Sequence, residues 1–285
     1  MHLLNPAPFG RILPAMVTPM KADGTVDFEA AQKLAKQLVA DGADGLVVNG
    51  TTGESPTTHM EEKVELVQAV KEVVDVPVLC AGRMDDSDMA VEAVQTGVCD
   101  IVSLGRPLLA DPDYVNKLRA GKTADIRPCI GCQEGCMGRI QKYSMINCAV
   151  NPQCARERAF AYNPVFRKKK VVIVGGGIAG CETARVLAIR GHEPVIYEAS
   201  DRLGGALYEA GVPSFKDDDR ALIAWYAHTL EKLGVEIHFN HRLTAGELDG
   251  TLVRLYGAPR LEAARARCAG VLDRYAKTFG SRPEA

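Results

Sequence analysis

Apolar and polar positions recur along this chain with two different periods, and the changes of period divide it. Residues 12–20 (ILPAMVTPM) are mostly apolar and end at a Thr-Pro turn, which predicts a strand. In the following VDFEAAQKLAKQLVADG, Phe28, Ala31, Leu34 and Leu38 recur at helical spacing, and Asp27 stands where an N-cap belongs. The pattern then predicts a strand at GLVVNG (45–50), a loop at TTGESPTT (51–58) and a helix over 59–74. A strand at VPVLCAG (76–82), a helix over 86–97 and a strand at DIVSLG (100–105) complete four successive strand-led units. Such a succession predicts a parallel sheet covered by helices.

Pro107, Pro112 and Pro128 punctuate a looser stretch, and RKKK at 167–170 marks a boundary. Strand, helix and strand then alternate over 171–198. A polar turn at 245–251 precedes a last predicted helix, 258–279. There Leu261, Ala264, Cys268, Val271, Leu272, Tyr275 and Phe279 share one face. The chain has no internal repeat and no low-complexity tract.

Composition narrows the reading. A chain of 285 residues has room for about two domains, and 47% apolar content allows a sizeable core. A net charge of −2 provides no electrostatic footprint for nucleic acid. No apolar run approaches the roughly 18–20 residues of a membrane helix, and the opening MHLLNPAPFGRILPA lacks the layout of a secretory signal. A cytoplasmic chain is therefore expected, with no nucleic-acid or membrane partner. In that compartment thiols stay reduced, so the nine cysteines are candidates for metal or redox chemistry rather than bridges.

Five of those cysteines crowd into 129–154. Cys129, Cys132, Cys136 and Cys148 form a Cys-x2-Cys-x3-Cys-x11-Cys pattern, with Cys154 outside it. Structural zinc usually takes two separated pairs, whereas three thiols within eight residues and a fourth further on suit an iron–sulfur cube, each iron held by one thiolate. Zinc and unligated thiols remain the alternatives. Further along, Gly175, Gly177 and Gly180 form a Gly-x-Gly-x-x-Gly turn between an apolar strand and a helix. Such a turn lets the backbone approach a pyrophosphate at the helix N-terminus. Glu198 closes the next strand, where a carboxylate can accept from ribose hydroxyls. The alternative is a glycine turn that serves packing alone.

Three resemblances lie on these motifs. AGRM, DIVSLGRPLLADPDY, IRPCIGCQEGC and NCAVNP resemble the flavin- and iron–sulfur-containing 2,4-dienoyl-CoA reductases, relatives of old yellow enzyme, over about residues 75–250. The resemblance implies a [4Fe–4S] cluster on Cys129, Cys132, Cys136 and Cys148, passing electrons between FAD and FMN, with NAD(P)H as donor and an enoyl-type small-molecule substrate. It makes Gly82, Arg83, Gly105 and Arg106 the FMN phosphate positions, which would otherwise read as surface turns. DRLGG at 201–205 resembles the continuation found in FAD-binding domains and adds Arg202 to the cofactor-binding candidates. Residues 10–74, with GTTGES, resemble dihydrodipicolinate synthase, a pyruvate-dependent aldolase. That chemistry needs a lysine on a barrel strand, and Lys33, Lys36, Lys63 and Lys71 fall on predicted helices, with Lys21 in a turn. Residues 251–285 faintly resemble the leading helix of galactokinases, and an ordinary amphipathic helix explains them equally.

The expected fold is α/β: a partial (β/α) TIM-barrel-like half, an iron–sulfur segment and a partial Rossmann-like FAD-binding domain. The expected divisions are 1–74 (aldolase-like units), 75–115 (flavin-barrel units), 116–168 (cluster segment and linker), 169–250 (dinucleotide-binding domain) and 251–285 (C-terminal helix). A whole barrel takes about 250 residues, so two copies could pair through the open half-barrel as a homo-oligomer. The function that follows is a flavin- and iron–sulfur-dependent oxidoreductase, incomplete and of doubtful turnover, with no catalytic acid assigned. A non-catalytic or artificial fusion is the alternative, and a pyruvate lyase is disfavoured.

Overall fold

The computed structural model describes residues 9–244, 246 and 247. They divide into two compact units: residues up to Cys129 together with Gln133–Asn151, and Ile130–Cys132 together with residues from Pro152 on.

The first unit is built on three short parallel strands that follow one another in the sheet as they do in the chain. Helix α1 (Phe28–Ala40) starts where the Asp27 carboxylate accepts from the Ala30 N–H at 2.9 Å, satisfying a donor that has no partner inside the helix. It leads to β1 (Leu46–Val48), helix α2 (Met60–Lys71) and β2 (Val78–Cys80). Helix α3 (Ser87–Gln95), capped by Asp86, leads to β3 (Ile101–Val102). Leu46 pairs with Val78 and Leu79 with Ile101. Leu46, Val48 and Val78 bury against Leu66, Val67 and Val70 of α2 and Ala31 and Ala35 of α1. Each such leucine or valine contributes roughly 1.5–3 kcal/mol by leaving water. Three short helices follow, α4 (Arg106–Ala110), α5 (Tyr114–Arg119) and α6 (Met137–Ile140).

The strand expected at 12–20 does not form. That segment instead runs extended beside β1, with Met16 N donating to Val47 O and Val47 N donating to Pro14 O, both at 2.9 Å. Only isolated bridges, Ala15 to Val47 and Met20 to Val26, interrupt it. The cause lies in Pro14 and Pro19, which lack the N–H a ladder needs. The expected four strand-led units thus become three strands and one paired extended edge.

In the second unit β4 (Lys170–Val174), α7 (Ile178–Ile189) and β5 (Glu193–Tyr197) are followed by α8 (Ala206–Ala210), α9 (Asp217–Lys232) and β6 (Glu236–His238). The strands are parallel, with β5 between β4 and β6. Helix α7 packs on β5 and on α9, burying Cys181, Ala184, Ile196, Leu222 and Leu230. Within this core Arg185 donates to both oxygens of Glu182, each at 2.7 Å, and to Tyr162 Oη at 2.9 Å. Its guanidinium also lies over the rings of Tyr162 and Trp225. Burial alone would lower the Arg185 pKa, but the bonds and charge of Glu182 outweigh it and hold it up. Among the described residues no helix is long and apolar enough to cross a membrane. The helix expected at 258–279, and most of the turn at 245–251, lie outside the described residues.

Candidate functional site

The glycine turn joins β4 to α7. Gly175 has a φ of +97°, which only a residue without a side chain adopts freely, and a Cβ there would meet nothing within 4 Å. Gly177 is the N-cap of α7. Gly180, one turn in, is the packing glycine: its Cβ would fall far inside contact distance of the Gly175 carbonyl oxygen. The DRLGG segment closes on this turn from the other side. Gly204 N donates to Gly176 O at 3.0 Å, and Gly177 bridges Gly204 in parallel register. A Cβ on Gly205 would lie 3.0 Å from the Gly177 Cα. Two glycine backbones thus face each other at the N-terminus of a twelve-residue helix, where the first N–H groups have no intrahelical partner. This is a cradle whose donors and open space suit a dinucleotide pyrophosphate.

Glu198 sits directly after β5, and both of its oxygens are engaged. One accepts from Gly176 N at 2.6 Å, the other from Ser200 N at 2.7 Å and Ser200 Oγ at 2.8 Å. Burial raises its pKa, yet these bonds more than offset it and hold the carboxyl below the usual carboxylate range. The carboxylate therefore ties the glycine turn to the end of β5. Ser200, Gly176 and Leu203 were not singled out from sequence. A Cβ on Gly176 would meet the Leu203 side chain at 2.6 Å and Glu198 Oε2 at 3.2 Å, and the only written signal is the middle glycine of the GGG run. Arg202, in the segment that closes on the turn, is paired with Asp201 at 2.9 Å and stacked over Tyr208 with its guanidinium carbon 4.3 Å from the ring centre.

Both Gly-Arg pairs leave the same ends of neighbouring strands, Gly82 and Arg83 after β2 and Gly105 and Arg106 after β3. Their glycines differ. Gly82, at φ +92°, faces the TTGES loop, and a Cβ there would meet Ser55 Oγ at 2.6 Å and Asn49 O at 2.9 Å. Gly105 faces open space. Arg83, at φ +57°, has Nε 3.6 Å from Asp85. The lysines at 33, 36, 63 and 71 lie on α1 and α2, off the strands.

Of the four patterned cysteines, Cys129, Cys136 and Cys148 belong to the first unit, and Cys132 is grouped with the second. Asn147 N donates to Gly135 O at 2.7 Å, and a Cβ on Gly135 would meet Asn147 O at 2.6 Å. That backbone contact brings together the residues immediately before Cys136 and Cys148. Among the described residues no three His, Cys, Asp or Glu side chains gather closely enough for a single metal ion. The four patterned residues are all thiols, the donor set an iron–sulfur cluster takes. Cys154 and Cys181 are buried outside the pattern, and burial pushes the Cys181 thiol up to about 12.

Comparison with known proteins sets these sites side by side. The model of the Dihydrodipicolinate synthetase family matches residues 8–96, and that of Pyridine nucleotide-disulphide oxidoreductase matches residues 145–265. Cinnamate reductase of Clostridium sporogenes is 46% identical over 223 residues, covering 75% of this chain and 33% of the relative. The 4-hydroxy-tetrahydrodipicolinate synthase of Bifidobacterium longum is 67% identical over 115 residues, 39% of this chain and 38% of the relative. The solved complex of 2-naphthoyl-CoA reductase with 2-naphthoyl-CoA superposes with a TM-score of 0.75 at 30% identity, covering 85% of this chain and 37% of that one. The chain therefore spans about a third of the length of the curated relatives it matches. By likeness it is a mosaic, with a dihydrodipicolinate synthase-like N-terminal region, an enoyl reductase-like region and a pyridine nucleotide oxidoreductase region.

Proposed function

We propose that this chain is part of a flavin- and iron–sulfur-dependent oxidoreductase that takes electrons from NAD(P)H toward an enoyl-type small-molecule substrate. The observation that carries the reading is the pair of facing glycine turns, 175–177 and 204–205, with Glu198 bonded to the first of them. In this reading residues 169–250 are a partial Rossmann-like domain. The sheet order β4-β5-β6 supports it, since the first three strands of that fold lie in the same sequence, leaving one edge for the strands that follow. The diphosphate of FAD would lie across Gly175, Gly177 and the start of α7, and Gly105 with Arg106 would face the phosphate of FMN. Cys129, Cys132, Cys136 and Cys148 would hold a [4Fe–4S] cluster. Bound flavin supplies hydride chemistry and the cluster supplies single-electron transfer. The protein's part is to hold the pyrophosphate by backbone N–H groups and to keep Glu198 ionised at the turn.

A second reading, a fusion whose pieces fold locally without turnover, is favoured by a separate observation. The two likenesses are each high in identity, name different chemistries, and together exceed the chain in coverage. One experiment separates the readings: anaerobic purification followed by assays for iron, sulfide, FMN and FAD. About four irons and one FAD per chain are expected from the ligand count. A colourless protein without iron or flavin would overturn the oxidoreductase reading and leave the fusion.

A further inference from the structure

The ends of the cysteine segment are tied by a buried network in the first unit. Asp111, at the end of α4, is 5% exposed. One of its oxygens accepts from Lys117 Nζ at 2.6 Å and from Arg127 N at 2.7 Å, and the other from Asp113 N at 3.1 Å. Arg127 is 7% exposed, and its guanidinium donates to Val150 O at 2.8 Å. Asn151, 4% exposed, donates to Leu109 O at 2.9 Å. Arg127 lies two residues before Cys129, and Val150 two residues after Cys148. A single side chain thus joins the entry of the segment to its exit, while Asp111 and Leu109 anchor both to α4.

We propose that Asp111, Arg127 and Asn151 are positioning residues for an iron–sulfur cluster, closing the neck of the cysteine segment so that Cys129 and Cys148 are held near each other before iron arrives. This rests on the iron–sulfur reading above. The physical reason is preorganisation. Two thiols separated by eighteen intervening residues lose chain entropy when drawn to one cluster, and a neck already closed by buried hydrogen bonds removes much of that loss. Outer partners of this kind orient the ligands they adjoin, and their loss typically weakens metal retention about 10–100-fold.

The test compares wild type with Arg127→Met, Arg127→Lys and Asn151→Ala, purified anaerobically as the full chain. Readouts are iron per chain, the rate of iron loss to an excess of ferrous chelator, and the electron paramagnetic resonance spectrum after dithionite. Iron loss about 10-fold faster in Arg127→Met is expected, with an altered spectrum. Near-wild-type values are expected in Arg127→Lys, which keeps a donor for Val150 O. Asn151→Ala, which opens only the exit, is expected to lie between and provides the test if Arg127→Met does not fold. Loaded variants that lose iron at the wild-type rate with an unchanged spectrum would overturn the positioning role alone. A wild-type chain without iron and sulfide would overturn the cluster reading itself.

Discussion

Replacing Gly180 by alanine sets two effects of known size against each other. Within a helix the change is favourable by about 1 kcal/mol, since glycine is the poorer helix former. Here, however, the new Cβ would strike the Gly175 carbonyl oxygen, a backbone atom at the crossing of α7 and β4, and would also lie 3.2 Å from the Gly175 carbonyl carbon. A flexible side chain could give way, but a turn held by Gly175 N to Tyr197 O at 2.8 Å cannot do so locally. The helix must therefore shift off the sheet. Overpacking of this kind costs typically 1–3 kcal/mol, and the rigid partner argues for about 3. The net loss is then about 2 kcal/mol. Trp225 is the chain's single tryptophan, buried in α9 within the second unit, so its fluorescence reports the unfolding of that unit alone. With a urea slope of about 2 kcal/mol per molar, the midpoint should fall by about 1 M. A fall under about 0.3 M would refute the inference that close packing, rather than cofactor contact, requires this glycine.

Gly177→Ala should behave oppositely: its φ is −67° and its Cβ would meet only the Gly205 Cα at 3.9 Å, so stability should change by no more than about 0.5 kcal/mol and the Trp225 midpoint by no more than about 0.25 M, whereas retained FAD, assayed after desalting, should drop sharply. Arg185→Met leaves the half-buried Glu182 without its cation, with Tyr226 Oη still donating to it at 3.2 Å, and should destabilise the second unit by about 1–3 kcal/mol in the same urea assay, with an unchanged midpoint counting against a structural role for the pair. For Glu198 the sign follows from its depressed native pKa. Its stabilisation is present above the ordinary value of 4.5 and is lost as pH falls through the lower native value, so wild-type stability should decline in that acid window more steeply than that of Glu198→Gln, measured by urea midpoints across pH. After iron is stripped by chelation, alkylation with iodoacetamide read by mass spectrometry should label exposed Cys132 and spare Cys181, whose buried thiol stays protonated.

Legibility in the sequence followed the range of the interactions concerned. Helix α1 is readable because its cap, Asp27, is local, and the β4–α7–β5 unit because glycines, apolar strand and terminal acid lie within thirty residues. The segment at 12–20 has the apolar content of a strand but, at Pro14 and Pro19, lacks the N–H groups a ladder needs. Arg185 was invisible because periodicity places charges outward, and its burial depends on Tyr162, 23 residues before it, and on Trp225, 40 residues after it. Likewise the sequence shows four cysteines but not the neck made by Asp111, Arg127 and Val150, whose partners are 16 and 23 residues apart.

The strand orders β1-β2-β3 and β4-β5-β6 have a consequence for synthesis on the ribosome. In each sheet, among the described residues, every strand pairs with the one made just before it. No strand has to wait for a later one to fill a gap, so each sheet can extend by accretion as the chain emerges. Each addition closes only a local crossover, the longest being the α8–α9 connection from β5 to β6, which keeps the entropic cost of every step small.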